Sequence, residues 1–176
     1  VTGEAPTPVL SVKNGLALWL EADKGVTADA SGAVSVWADQ SGNHNNALQD
    51  DAGATPPTSY RPTLTAGAPS GKPTVEFDGA QQFLRIPNAA SLQPGESDWT
   101  VLFVARRTGE SQGDYPQILG SRPWTEGQDK GWAVALQNIS GRIGSHFADG
   151  AGGHDVGSAL SDKPLSSAVY QVWQVE

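Results

Sequence analysis

The feature that most constrains this chain is a period-two alternation of apolar and polar residues, in short runs separated by turn-forming residues. In Thr74-Val75-Glu76-Phe77, for example, the valine and the phenylalanine would face one side of a strand and the two polar residues the other. Comparable apolar or alternating runs occur at 16–20, 34–37, 83–86, 100–105, 117–119, 132–136, 142–147 and 168–175. The sequence therefore predicts an all-β fold of about nine short strands, arranged as an antiparallel two-sheet sandwich or jelly roll.

The expected core consists of the inward-facing members of these runs. We predict burial for eight side chains: Trp19, Trp37, Val75, Phe77, Leu102, Val104, Trp132 and Val134. Between the runs, residues 38–72, 107–116 with 120–130, and 148–166 are predicted to be long polar loops, and a short turn near residues 89–92 is predicted to be helical. The Pro-rich residues 1–14 are expected to form a linker, and residues 15–176 a single domain.

Composition excludes several classes of function. The formal net charge is -8 and the longest basic run is Arg106-Arg107, so the chain lacks the basic stripe that nucleic-acid binding requires. No apolar run approaches the roughly 20 residues of a membrane-spanning helix. The absence of cysteine excludes disulfides and thiolate zinc sites. Because the sequence contains no methionine, we expect Val1 to mark either a processing site or an artificial boundary.

Three motifs occur in a fixed order along the first half of the chain. They are Gly15-Leu16-Ala17-Leu18-Trp19-Leu20-Glu21-Ala22-Asp23, Trp37-Ala38-Asp39-Gln40-Ser41-Gly42-Asn43-His44-Asn45, and Gly71-Lys72-Pro73-Thr74-Val75-Glu76-Phe77-Asp78-Gly79. This succession resembles the laminin-G-like, concanavalin-A-like jelly-roll domains of large exported bacterial proteins. The resemblance covers about residues 15–107, with a weaker similarity at 131–150. It implies a secreted or cell-surface, lectin-like scaffold, a fold on which many different ligands are bound.

A calcium site is one interpretation of the oxygen-rich residues. Calcium prefers six to eight oxygen ligands, and the expected set is Asp39, Asn43 and Asn45, with Asp78 as a second carboxylate. The resemblance supports this reading, because related sandwich domains often hold calcium at their rim. The alternative is turn formation, in which Asp and Asn side chains hydrogen-bond to nearby backbone and Gly42 supplies a positive φ.

Catalysis is the alternative to binding, and its candidate residues are Glu76 and Asp78 on one strand. Period two places both carboxylates on one face, as in laminarinase-type glycosidases, but Gln81 occupies the position of the expected acid. The three histidines, His44, His146 and His154, show no metal-ligand spacing. A nucleophile elbow of the Gly-x-Ser-x-Gly type is absent from the sequence. The residues therefore favour a chain that is not an enzyme.

Two aromatic residues in polar segments are the expected ligand contacts. Trp124 and Tyr115 could stack on a sugar ring, with Arg122 and Asp114 supplying hydrogen bonds to its hydroxyls. The equal alternative is that each ring anchors its own loop. Carbohydrate recognition without catalysis is the leading expectation. A polysaccharide lyase or glycosidase on the same fold and a structural or adhesion spacer remain as rivals.

Residues 168–176 alternate like a strand and are followed by no turn. In the family that the chain resembles, further strands come after such a strand and complete the sandwich. A sandwich without them would expose backbone ladder groups and apolar faces. We therefore expect residues 1–176 to form part of a folded unit, with the remainder supplied by a complementary C-terminal chain of the same precursor or absent from this sequence.

Overall fold

The computed structural model describes eight stretches of the chain, which are residues 14–49, 60–67, 71–95, 97–109, 116–121, 130–137, 140–149 and 157–176. They contain the strands β1 (Val26–Ala28), β2 (Val34–Trp37), β3 (Ala47–Leu48), β4 (Thr63–Thr65), β5 (Thr74–Glu76), β6 (Val101–Ala105), β7 (Gln117–Gly120), β8 (Lys130–Leu136), β9 (Arg142–Asp149), β10 (Gly157–Pro164) and β11 (Gln171–Val175). A turn of 3-10 helix at Ala90–Leu92 confirms the short helical turn predicted there.

Every strand pair in the described stretches is antiparallel. This confirms the predicted all-β class with antiparallel sheets. The described residues fall into two compact units, within Val1–Leu92 and within Gln93–Glu176. The single domain over 15–176 and the linker over 1–14 stay predictions. No helix of the described stretches is long and apolar enough to cross a membrane.

The first unit contains a three-stranded sheet, ordered β1-β2-β3, and a hairpin of β4 and β5. Val34 at the start of β2 is fully buried, and its backbone N–H donates to the carbonyl of Pro62, 2.8 Å away. The turn before β2 requires Gly32, whose φ is 85° and whose missing Cβ would lie 3.1 Å from the carbonyl oxygen of Leu64. These contacts join the hairpin to the sheet.

The second unit contains a four-stranded sheet, ordered β10-β9-β8-β7, and a two-stranded sheet of β6 and β11. Its core is built on Val134, Ile143 and Leu165, which are 0%, 3% and 3% exposed. The residues that pack against this core come from both sheets and the segments beside them: Trp99, Phe103, Ala105, Ile118, Trp132, Leu136, Trp173 and Val175. The two sheets of this unit therefore enclose one core in the manner of a sandwich.

The predicted core is correct in part, and its largest error is the direction of β6. Leu102 and Val104 are 60% and 64% exposed, whereas Phe103 and Ala105 pack against the core. Both faces of this strand are apolar, so alternation alone cannot choose between them, and a shift of one residue exchanges the faces. Phe77 is also exposed, because β5 ends at Glu76 and the phenylalanine belongs to the following turn. Val134 is buried as predicted.

Four further predictions about the strands are wrong. Residues 83–86, predicted to be a strand, form only an isolated bridge between Arg85 and Leu48. Residues 38–72, predicted to be a loop, contain β3 and β4. Residues 16–20 are not paired in a sheet ladder, although their apolar run predicted a strand. Residues 148–166, predicted to be a loop, contain β10, which pairs with β9 from Gly157 opposite Phe147 to Pro164 opposite Arg142. The polar sequence of β10 hid this strand, because nearly all of its residues are exposed.

Candidate functional site

The carboxylate of Asp39 organises the loop of residues 39–46. Its Oδ1 accepts hydrogen bonds from the backbone N–H groups of Trp19 and Ser41, at 2.9 and 2.8 Å. Its Oδ2 accepts from Ser41 Oγ at 2.7 Å and from the backbone N–H of Asn45 at 3.0 Å. Asp39 is only 9% exposed, and each of its carboxylate oxygens accepts two hydrogen bonds. The carboxylate is therefore satisfied within the protein, as buried polar groups generally are.

The two asparagines of the expected metal set point their amide groups at the preceding segment. Asn43 Nδ2 donates to the carbonyl of Leu16 at 2.8 Å, and Asn45 Nδ2 donates to the carbonyl of Ala17 at 2.8 Å. Asn45 Nδ2 also donates to Ser91 Oγ at 3.0 Å. The loop side chains thus supply hydrogen bonds that a neighbouring strand would otherwise supply, which explains why residues 16–20 are held without a sheet ladder.

The hydrogen bonds around Asp39 also decide its charge. Burial tends to raise the pKa of this carboxyl, but the bonds from the Ser41 hydroxyl and from the N–H groups of Ser41, Trp19 and Asn45 outweigh it. The net result is a lowered pKa, so the group is a carboxylate at neutral pH. The donors that stabilise it are the loop's own atoms.

This geometry favours the turn interpretation of the loop over the calcium interpretation. A calcium ion would have to exchange some of the four hydrogen bonds of Asp39 for coordination bonds. The described stretches contain no group of three or more His, Cys, Asp or Glu side chains that could hold a metal ion. The structure brings Asp39, Asn43 and Asn45 together, while Asp78 closes a separate turn.

Asp78 fixes the turn that follows β5. Its Oδ1 accepts hydrogen bonds from the backbone N–H groups of Ala80, Gln81 and Gln82, at 2.9, 3.0 and 3.0 Å. Gln82 Oε1 in return accepts from the backbone N–H of Asp78 at 2.9 Å. The N–H groups of Ala80 and Gln82 are the main reason that the pKa of Asp78 is lowered. Asp78 is therefore ionised and has the local turn-closing role that was the alternative to metal binding.

The catalytic alternative on β5, which the sequence disfavoured, gains no support from this arrangement. Glu76 is the last residue of β5, whereas Asp78 has left the strand and its carboxylate is occupied by backbone donors. A glycosidase needs one carboxyl with a raised pKa to serve as the general acid. The pKa of Asp78 is shifted in the opposite direction.

A mixed charged and aromatic cluster near the start of the chain was not predicted. Lys72 Nζ lies 2.9 Å from Asp23 Oδ2, and Lys24 Nζ lies 2.7 Å from Glu21 Oε2. Lys24 also lies over the ring of Trp19, 5.5 Å from its centroid. The hydrogen bond with Lys72 lowers the pKa of Asp23 and raises that of Lys72. These are partly exposed ion pairs, which contribute little to stability.

The predicted sugar contacts Tyr115, Trp124, Arg122 and Asp114 all lie outside the described residues. The described stretches do contain two exposed aromatic rings, Phe77 and Phe83, which the sequence analysis had not assigned to binding. One signal could have identified them, because each phenylalanine directly flanks the Asp78-to-Gln82 turn. A position beside a turn is a weaker predictor of burial than a position inside a strand.

The fold and the site together define an all-β protein of antiparallel sheets in which aspartate-centred turns hold the connecting segments. Comparison with protein-family models, with curated proteins and with solved structures finds no match for this chain.

Proposed function

We propose that this chain is a non-catalytic recognition module that binds a carbohydrate and belongs to a larger secreted or cell-surface protein. The proposal includes the laminin-G-like jelly roll as the fold family and the lectin-like mode of action that the family implies. The observation that supports a binding role over a catalytic one is the ionised state of the aspartates. The described aspartates with a shifted pKa, Asp23, Asp29, Asp39 and Asp78, all have it lowered.

Each of these four carboxylates has a local partner that accounts for its shift. Asp29, Asp39 and Asp78 close turns by accepting hydrogen bonds from nearby backbone N–H groups, and Asp23 pairs with Lys72. Polysaccharide cleavage by acid catalysis would need the opposite, a carboxyl that retains its proton near neutral pH. The same residues therefore support a rigid scaffold that presents loops to a ligand.

A glycan array probed with the wild-type protein tests this proposal against both rivals. Binding to a defined set of glycans without release of shorter products supports recognition. Release of reducing or unsaturated ends would establish an enzyme instead, and binding to no glycan would favour a spacer. The variants Trp124→Ala and Tyr115→Ala, with their melting temperatures, test the residues predicted from the sequence.

A second proposal concerns a partner chain, and it is supported by the outward face of the β6–β11 sheet. Val104 and Val172 lie opposite each other in the register, and together with Leu102 they leave an aliphatic face largely exposed, Val172 by 76%. Adjacent exposed aliphatic side chains often mark an interface. We propose that a complementary β-segment of the same precursor packs on this face.

Intact mass spectrometry of the protein purified from its natural source tests the partner proposal. A second polypeptide encoded by the same gene and present in equal amount would support it. That polypeptide should be lost when the variant Val104→Ser/Val172→Ser is produced in the same source and purified in the same way. Recovery of a single polypeptide would refute it. So would a face that already binds a hydrophobic dye in the native protein and binds no more of it after mild denaturant treatment, because such a face is not covered.

A further inference from the structure

Two exposed phenyl rings stand on either side of the turn that Asp78 closes. Phe77 is 44% exposed and Phe83 is 41% exposed, and they are the aromatic members of the large exposed apolar side chains in the described stretches. Exposed rings of this kind are more costly to leave in water than polar residues, and rings that are held rigidly lose little conformational entropy when a ligand binds. The pair therefore calls for a functional explanation.

The backbone between the rings is held in place from both ends. The carboxylate of Asp78 accepts hydrogen bonds from three backbone N–H groups within the turn, and Gln82 Oε1 accepts one from the N–H of Asp78. The segment after the turn is anchored by Arg85 and Leu48, whose backbone groups exchange two hydrogen bonds of 2.8 Å. The two rings are thus attached to a turn of fixed geometry.

The ring of Phe83 also has its own support. Tyr60 lies against it with ring centroids 6.5 Å apart, and the N–H of Phe83 donates to the carbonyl of Tyr60 at 3.2 Å. Gln49 is 3% exposed, and its Nε2 donates to the carbonyl oxygens of both residues, at 2.8 Å to Phe83 and 3.2 Å to Tyr60. A buried amide therefore fixes the two aromatic residues relative to each other.

Two polar side chains belong to the turn that separates Phe77 from Phe83. Within the described contacts, Asp78 Oδ2 and the side-chain amide of Gln81 have no hydrogen-bond partner, and both residues are exposed. One group is an acceptor and the other is both donor and acceptor. Aromatic faces next to a few polar groups match the two surfaces of a sugar, its C–H face and its hydroxyls.

We infer that Phe77 and Phe83 form a stacking platform for the pyranose rings of a neutral carbohydrate, with Asp78 and Gln81 binding its hydroxyls. This inference rests on the proposed function and names a site and a ligand class for it. Neutrality follows from charge, because a chain of net charge -8 with an ionised Asp78 in the site repels uronic acids and sulfated sugars.

The test uses the full chain and measures binding and melting temperature together. The wild-type protein is screened on neutral and on acidic glycans, and the dissociation constant for the best neutral oligosaccharide is measured by calorimetry. Phe77→Ala and Phe83→Ala should each weaken binding by about tenfold, since covering a phenyl ring contributes at least this much. Phe83→Trp keeps an aromatic ring at this position and should bind about as well as the wild type. Leu160→Ala, which shortens a similarly exposed side chain in β10, is the matched control and should bind like the wild type.

The outcomes separate the site from the function. Wild-type binding that survives both Phe→Ala changes overturns the platform and leaves the proposed function in place at Trp124 or Tyr115. A wild-type protein that binds only acidic glycans overturns the ligand class. Binding that is lost together with a large drop in melting temperature, and that Phe83→Trp does not restore, identifies the rings as structural. Failure of the wild type to bind any glycan refutes the proposed function itself.

Discussion

Replacing Asp39 by alanine is the sharpest test of how the first unit is held together. The substitution removes the acceptor for the backbone N–H groups of Trp19, Ser41 and Asn45, and for the Ser41 hydroxyl. The hydroxyl can rotate towards another acceptor, whereas the three N–H groups cannot. Because the site is 9% exposed, water can replace the carboxylate only in part.

The expected magnitude follows from the number of orphaned donors. An unsatisfied buried donor costs about 1–3 kcal/mol, and with water reaching one of the three groups the total loss is about 4 kcal/mol. For a chain of this size that loss corresponds to a fall in melting temperature of about 8–16 °C. Asp39→Asn keeps one acceptor oxygen and should lose about half as much, roughly 2 kcal/mol.

Thermal and urea unfolding followed by tryptophan fluorescence would measure these losses, and one of the six tryptophans, Trp19, is bonded to the loop through its backbone N–H. Asp29→Ala is the matched control, because Asp29 accepts the N–H groups of Ser31 and Ala33 in a similar turn but is exposed. It should lower stability by less. An Asp39→Ala protein that is as stable as the wild type, or no less stable than Asp29→Ala, would show that the loop does not depend on this carboxylate.

Three further predictions follow from the same contacts. The pKa values of Asp39 and Asp78 are lowered, so the unfolded chain takes up protons first as the pH falls through the ordinary Asp value of 3.8. The contribution of these two carboxylates to the free energy of unfolding should therefore be fully present above about pH 5 and be lost as the pH falls below it. Urea unfolding measured at a series of pH values would show this loss. Phe103→Ala should lower the free energy of unfolding by about 2–3 kcal/mol, less than for a fully buried phenylalanine because this ring is half-buried, while Val104→Ala should change it little. Equal changes for the two variants would contradict the inward direction of β6. Melting temperatures in EDTA and in millimolar calcium should agree, because the oxygens of Asp39 are occupied; an increase in calcium would reinstate the metal site.

The sequence pattern predicted most of the strands, since alternation is a local property that a strand expresses wherever it pairs. The runs at 34–37, 100–105, 132–136 and 142–147 correspond to β2, β6, β8 and β9. The turn chemistry of Asp39 and Asp78 could also be predicted, because Asp side chains in turn-forming segments bond to backbone a few residues away. The calcium expectation was based on oxygen-rich residues together with the family resemblance, and the sugar expectation on aromatic rings in polar segments; carbohydrate binding remains a proposal.

The structural features that the sequence did not predict each depend on a partner that is distant along the chain. The run at 16–20 is apolar enough for a strand, but its carbonyl groups bond to the amides of Asn43 and Asn45. The polar β10 is a strand only because β9 offers it a ladder. Both faces of β6 are apolar, and packing on Val134 and Ile143 selected the face that carries Phe103. By itself the sequence determined where the backbone could be extended and where it must turn, while the tertiary structure decided which groups satisfy that backbone and which apolar face leaves water, because both depend on contacts between residues far apart in the chain.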